Sequence, residues 1–123
     1  MPNDSFSAQV EYTAEFKRNL RVLAKKYPHI RSDVQPLLHD LELGDTPGDH
    51  IPGVGYTVFK VRLRNRDTQK GKRSGYRLIY YLKTPTRIVL ITIYSKLEQS
   101  DIPTRRIQKI IGEYEQASVV RHK

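Results

Sequence analysis

The chain has 123 residues, with 22 Lys and Arg against 13 Asp and Glu, a formal net charge of +9 and no cysteine. That length suits one domain. Zero Cys excludes disulfides, thiol chemistry and cysteine-ligated zinc, and no stretch approaches the ~20 apolar residues of a bilayer span.

The opening MPNDSFSAQV has no charged start and no apolar run, so no secretory signal is expected and the cytoplasm is the expected compartment. Ser7 to Tyr12 reads as a short strand, with Ala8, Val10 and Tyr12 on one face. From Thr13 the period becomes helical. Phe16, Leu20, Leu23, Ala24 and Tyr27 make an apolar stripe, and Pro28 ends the helix. A second helix is expected from about Val34 to Leu43, capped by Ser32 or Asp33, with Pro36 in its first turn and Gly44 at its end. The two helices should pair as a hairpin.

Gly44 to Gly55, with four Gly and two Pro, reads as loop. Three strands are expected next, at Tyr56 to Arg64, Ser74 to Leu82 and Arg87 to Tyr94. The third is apolar on both faces and should be central and covered. A last helix is expected from about Ile102 to Ala117, with Asp101 as N-cap and a stripe of Ile107, Ile110, Ile111 and Tyr114. The tail 118–123 is expected to fray. The order β-α-α-β-β-β-α predicts one α+β domain spanning 1–123. A helical hairpin and a C-terminal helix would lie on one face of a twisted, mainly antiparallel four-stranded sheet, leaving the other face open.

The charge is concentrated. Residues 60–77 (KVRLRNRDTQKGKRSGYR) hold eight basic residues and one acid, Asp67. Phe59, Val61 and Leu63 alternate with Lys60, Arg62 and Arg64, which is the pattern of a half-buried strand. Lys60, Arg62 and Arg64 therefore stand on one sheet face. Arg77 and Ile79 share a face of the next strand. Like charges in a row repel, so such a row fits a polyanionic partner, nucleic acid before an acidic protein or an anionic membrane. No Walker-type G-K-[ST] follows the glycines. The four histidines, His29, His39, His50 and His122, fall outside the expected strands and lack metal-ligand spacing, so neither a metal nor another cofactor is expected.

Three runs in order, F-K-V-R-L-R (Phe59 to Arg64), G-K-R-S-G-Y-R-L-I-Y-Y (Gly71 to Tyr81) and L-I-T-I-Y-S-K-L-E-Q-S-D-I (Leu90 to Ile102), resemble toxins of the RelE/HigB superfamily of type II toxin-antitoxin modules. The second and third runs are most similar to the HigB-like branch. The resemblance implies a RelE-like fold of the microbial-ribonuclease type. It also implies a ribosome-dependent mRNA endonuclease (an mRNA interferase), with the ribosome, mRNA and a cognate acidic antitoxin as partners and no membrane. It places Lys60, Arg62 and Arg77 where such toxins keep catalytic or phosphate-binding cations. Two departures stand out. Lys96-Leu97 replaces a Lys-Arg pair, and Pro103 replaces a tyrosine near the last helix. Tyr94, Lys96 and Glu98 are the polar groups that stand in. The loop Asn65 to Lys72 would be a mobile basic arm that tracks rRNA phosphates, with Arg64, Arg66, Lys70, Lys72 and Arg73 as the RNA-binding cations.

Metal-free RNA cleavage needs a base for the 2′-hydroxyl, an acid for the leaving 5′-oxygen and cations for the phosphorane. Gathered cations ease deprotonation of a neighbouring lysine, so Lys60 or Lys96 is a candidate base, with Glu98 a rival. Arg62 and Arg77 have planar forks suited to phosphate oxygens. Two other readings stay open: a ParE-like toxin that acts on DNA gyrase by binding, and a non-catalytic module whose basic face only holds phosphates.

Overall fold

The computed structural model describes residues 7–68 and 71–121, with backbone alone at 72 and 118–121. The elements run β1 (Gln9–Tyr12), α1 (Ala14–Lys26), α2 (Ile30–Glu42), β2 (Asp49–His50), β3 (Val58–Leu63), a 3-10 turn (Lys72–Ser74), β4 (Tyr76–Thr84), β5 (Arg87–Ser95) and α3 (Thr104–Arg121). They form one mixed sheet in the order β1-β5-β4-β3-β2. β1 runs parallel to β5, and the other pairs are antiparallel. The α+β class matches the sequence reading, but the sheet has five strands rather than four.

The added strand, β2, lies inside the stretch expected to be loop. Asp49 pairs with Lys60 and His50 with Phe59. Gly48 permits this. Its φ is +98°, and a side chain there would strike the Lys60 carbonyl and Val61. Two residues are too few for any periodicity to announce a strand.

β5 is buried from Ile88 to Ser95. Such a strand needs cover on both faces, and the helices divide accordingly. Phe16 and Leu23 of α1 and Ile30, Val34, Leu37 and Leu41 of α2 pack with Val61, Tyr76, Leu78, Tyr80, Ile88 and Leu90 on one face. Ile107, Ile110 and Ile111 of α3 pack with Val58, Ile79, Tyr81, Val89 and Ile91 on the other. The expectation that all helices share one face is therefore wrong. α3 covers part of the face that carries the cations.

Local chemistry fixes the helix starts. The Thr13 hydroxyl accepts from the Phe16 N–H at 3.0 Å and donates to the Ile91 carbonyl at 2.6 Å, so one side chain caps α1 and fastens it to β5. α2 begins four residues before the expected start. Its N-cap is His29, whose side chain makes no capping bond. Instead, the Asp67 carboxylate accepts from the His29 N–H at 3.0 Å and lies 2.7 Å from His29 Nδ1. A remote anion thus does the work of a cap at the positive end of the helix. Pro36 consequently lies inside α2 and not in its first turn. α3 starts at Thr104, where the Pro103 carbonyl accepts from the Arg106 and Ile107 N–H groups. Asp101 is not its cap. The helical backbone continues to Arg121, beyond the expected fraying point, and His122 and Lys123 lie outside the described residues.

Gly75 precedes β4, and a Cβ there would collide with the Leu63 carbonyl oxygen and crowd the Asn65 N–H. Gly75→Ala must push β3 and β4 apart where backbone meets backbone. It should cost about 1–3 kcal/mol, read from the urea midpoint.

Glu11 ties three elements together. It accepts from Arg87 Nε and Nη2 at 3.0 and 2.8 Å and from the Tyr114 hydroxyl of α3. Burial raises its carboxyl, but Tyr114 and Arg87 outweigh that and hold it below its usual 4.5. Its contribution is complete above about pH 4.5 and is lost as pH falls through the lower folded value. Acid titration followed by circular dichroism should therefore show a shallower stability loss below pH 4.5 for Glu11→Gln than for the parent.

Candidate functional site

β3, β4 and β5 set a row of side chains across the sheet. Arg62 pairs directly with Arg77, and Arg77 pairs with Tyr94. Lys60 is two residues from Arg62 on the same face of β3, by strand alternation. Lys96 follows the end of β5. Its N–H donates to the Gly75 carbonyl at 2.9 Å, which holds the strand end beside the start of β4.

One acid sits among these groups. The Asp101 carboxylate lies 3.4 Å from Lys60 Nζ through Oδ2 and 3.4 Å from Lys96 Nζ through Oδ1. The Tyr94 hydroxyl donates to Oδ1 at 3.0 Å. Burial raises the Asp101 carboxyl, yet the Tyr94 hydroxyl and the Lys60 and Lys96 ammoniums hold it below the ordinary aspartate range. Burial, and then the carboxylate of Asp101, push the Tyr94 phenol upward, so it stays a neutral donor.

Arg77 is the buried member, 5% exposed. Its guanidinium donates to the Tyr76 carbonyl at 3.2 Å and to the Arg73 carbonyl at 2.7 Å. Burial and the neighbouring Arg62 weaken its hold on the proton, while Tyr94 and Asp101 oppose them. An arginine stays charged through such a change. The sheet thus carries a fixed cation opposite an exposed one. Like charges directly opposite on neighbouring strands destabilise a sheet.

The other expected site residues divide. Glu98 does not join the group. Its carboxylate accepts from the Tyr27 hydroxyl at 2.6 Å and pairs with Lys26 at 3.1 Å. Those two partners, Tyr27 first, hold it low. A carboxylate occupied by α1 is poorly placed to serve as base beside Lys60. Arg64 is exposed just beyond β3. Arg66 turns to α2, with Nε 3.4 Å from Asp33 Oδ1 and its N–H donating to Oδ2 at 3.0 Å. Arg73 offers its carbonyl to Arg77. Lys72 is described by backbone alone, and Lys70 lies outside the described residues. The expected mobile arm is tethered over Asn65 to Thr68, because Asp33 and His29 hold Arg66 and Asp67, and Thr68 donates to the Asn65 carbonyl. Asp67 is the single acid of the basic segment, and its role is to anchor that segment.

His50, the histidine nearest to the cations in sequence, is exposed in β2, an edge strand of the sheet. Its ring meets Phe59 edge-on at 5.6 Å, on the face opposite Lys60. Asp101 is the residue that sequence reasoning misplaced. It lies 41 positions from Lys60, and its capping pattern before a Pro was the stronger local signal.

No protein-family model matches the chain. Among the described residues, no group of His, Asp or Glu could hold a metal ion, and no helix is long and apolar enough to cross a membrane.

If the opposed arginines are a strain kept for a ligand, removing the exposed one should relieve the fold. Arg62→Gln should be neutral or stabilising by about 0.2–1 kcal/mol. Arg77→Ala should destabilise by about 1–3 kcal/mol, since it removes a buried guanidinium that two backbone carbonyls hold, one of them buried. Denaturation of both variants tests the contrast, and a clear loss on Arg62→Gln would remove the argument.

Proposed function

We propose that this chain is a toxin of the RelE/HigB type, an endoribonuclease that cuts mRNA on the ribosome. The observation that carries the reading is the directly opposed pair Arg62 and Arg77, with Lys60 and Lys96 alongside. A fold that retains this arrangement at the end of the sheet left clear of the α3 core gains from an anion there. A phosphodiester has the charge and the planar oxygen pairs that arginine forks fit. The three sequence runs resembling such toxins meet at this place.

In this reading, Arg62 and Arg77 hold the scissile phosphate. The 2′-oxygen attacks phosphorus while the bond to the 5′-oxygen breaks, giving a 2′,3′-cyclic phosphate and a 5′-hydroxyl. The proton of the 2′-hydroxyl passes to a base and another reaches the leaving oxygen. Lys60 and Lys96 are the groups for these two transfers, and together with the arginines they meet the charge of the phosphorane. Glu98, bound to Tyr27 and Lys26, takes no part. The partners are mRNA, the ribosome and an acidic antitoxin that would cover the cations.

Induced expression in bacteria should arrest growth, with new mRNA 5′ ends confined to translated frames. Lys60→Ala and Arg62→Ala should each lower cutting by about 10²-fold or more while remaining folded. Arrest with intact mRNA and altered DNA topology would favour a gyrase-directed toxin. Salt-sensitive RNA binding with neither arrest nor cutting would leave a binding module.

A further inference from the structure

The Asp101 carboxylate stands where an incoming anion would need to stand. It touches Lys60 and Lys96 at 3.4 Å each, accepts a hydrogen bond from the Tyr94 hydroxyl at 3.0 Å, and lies close enough to Arg77 to favour that residue's charged form. Its four neighbours come from β3, from β4, and from β5 and the residue just after it. Asp101 itself comes from the connection between Ser95 and Thr104, outside the sheet. Its side chain is 53% exposed, whereas those of Lys60 and Lys96 are 26% and 28% exposed. The cations are thus the fixed part and the acid the part that faces solvent. Long, half-exposed ion pairs are weak. A carboxylate on a connecting segment can leave them without disturbing a strand.

We propose that Asp101 is a built-in competitor. It occupies the seat of a phosphodiester in the free protein and swings out when the backbone of a single-stranded RNA takes its place. This rests on reading the cation row as a phosphate site, and it adds that the chain carries its own substitute anion. Two consequences follow from charge alone. A carboxylate that must be displaced lowers affinity for every anion at the seat. Its removal leaves the two ammonium groups without their counter-charge, so an incoming phosphate meets a stronger field.

The test separates this idea from the nuclease reading by using a probe that cannot be cut. A fluorescein-labelled 2′-O-methyl RNA pentamer, lacking the 2′-hydroxyl nucleophile, is titrated against the whole protein by anisotropy at low salt. Asp101→Asn should bind it about tenfold more tightly than the parent, equivalent to about 1.4 kcal/mol. Lys60→Ala should bind more weakly than the parent. In the parent, the Asp101 side-chain carboxyl carbon resonance should move on saturation with inorganic phosphate, which needs no variant to fold.

Equal or weaker binding by Asp101→Asn would overturn the proposal and make Asp101 a positioning group for the two lysines. A carboxyl resonance that stays in place while phosphate binds would overturn it as well. Failure of parent and variant alike to bind the pentamer would remove both this proposal and the phosphate site beneath it. Tighter binding by Asp101→Asn, with no cutting of natural RNA, would keep the competitor and discard only the nuclease.

Discussion

A strand without a polar face has to be covered on both sides, and β5 is such a strand: Ile88, Leu90 and Ile93 look toward α1 and α2, and Val89, Ile91 and Tyr94 toward the face that α3 covers. The rest of the arrangement depends on this. α3 must lie on the face that also carries Lys60, Arg62 and Arg77. Its three buried isoleucines pack into a cluster with Val58, Ile79, Tyr81, Val89 and Ile91 that also takes in Tyr94 beside the cations. The cations are therefore confined to the remaining end, near the start of β4 and the finish of β5. A broad basic surface becomes a short row with a hydrophobic boundary. The connection that leads into α3 must pass that row, and this brings Asp101 to it.

The electrostatics follow from confinement. Arg77 is buried and held through two backbone carbonyls, so it cannot turn away from Arg62 as a surface arginine would. Asp101 offsets part of the repulsion, helped by the Tyr94 hydroxyl. Elsewhere the structure neutralises cations in the usual way: Arg66 with Asp33, Arg87 with Glu11, Arg106 with Glu15, Lys83 with Glu115. The contrast singles out the end of the sheet as the place where charge is concentrated rather than dispersed.

What could be read in the sequence was what depends on neighbours along the chain. Period-two alternation placed Phe59, Val61 and Leu63 against the core and Lys60 and Arg62 on the other face, and the apolar run of 88–94, broken only by Thr92, marked β5 as an interior strand covered on both faces. The misses share one cause. β2 exists only because Gly48 lets Asp49 and His50 approach β3. The start of α2 is set by Asp67, 38 residues away from His29. Glu98 read as a rival base, but its carboxylate is taken by Lys26 of α1 and by Tyr27 just after it. Asp101 matched a helix-cap pattern, and its true partner Lys60 is remote. The second helical face was hidden because an apolar strand calls for two covers without saying which helix supplies each.

The parallel pairing of β1 with β5 has a consequence in time. Val10 meets Ile88 and Tyr12 meets Leu90, and the Thr13 hydroxyl reaches Ile91 across 78 positions. Contacts this distant form late, after the local ones. During synthesis the helical hairpin can form early, yet its apolar side has no sheet to rest on until β5 has emerged. The same strand brings Tyr94 and Lys96 to Arg77. Arg62 and Arg77 face each other within the local β3–β4 pairing, whereas Tyr94 and Lys96 reach them only when β5 docks, and Asp101 follows them in the chain.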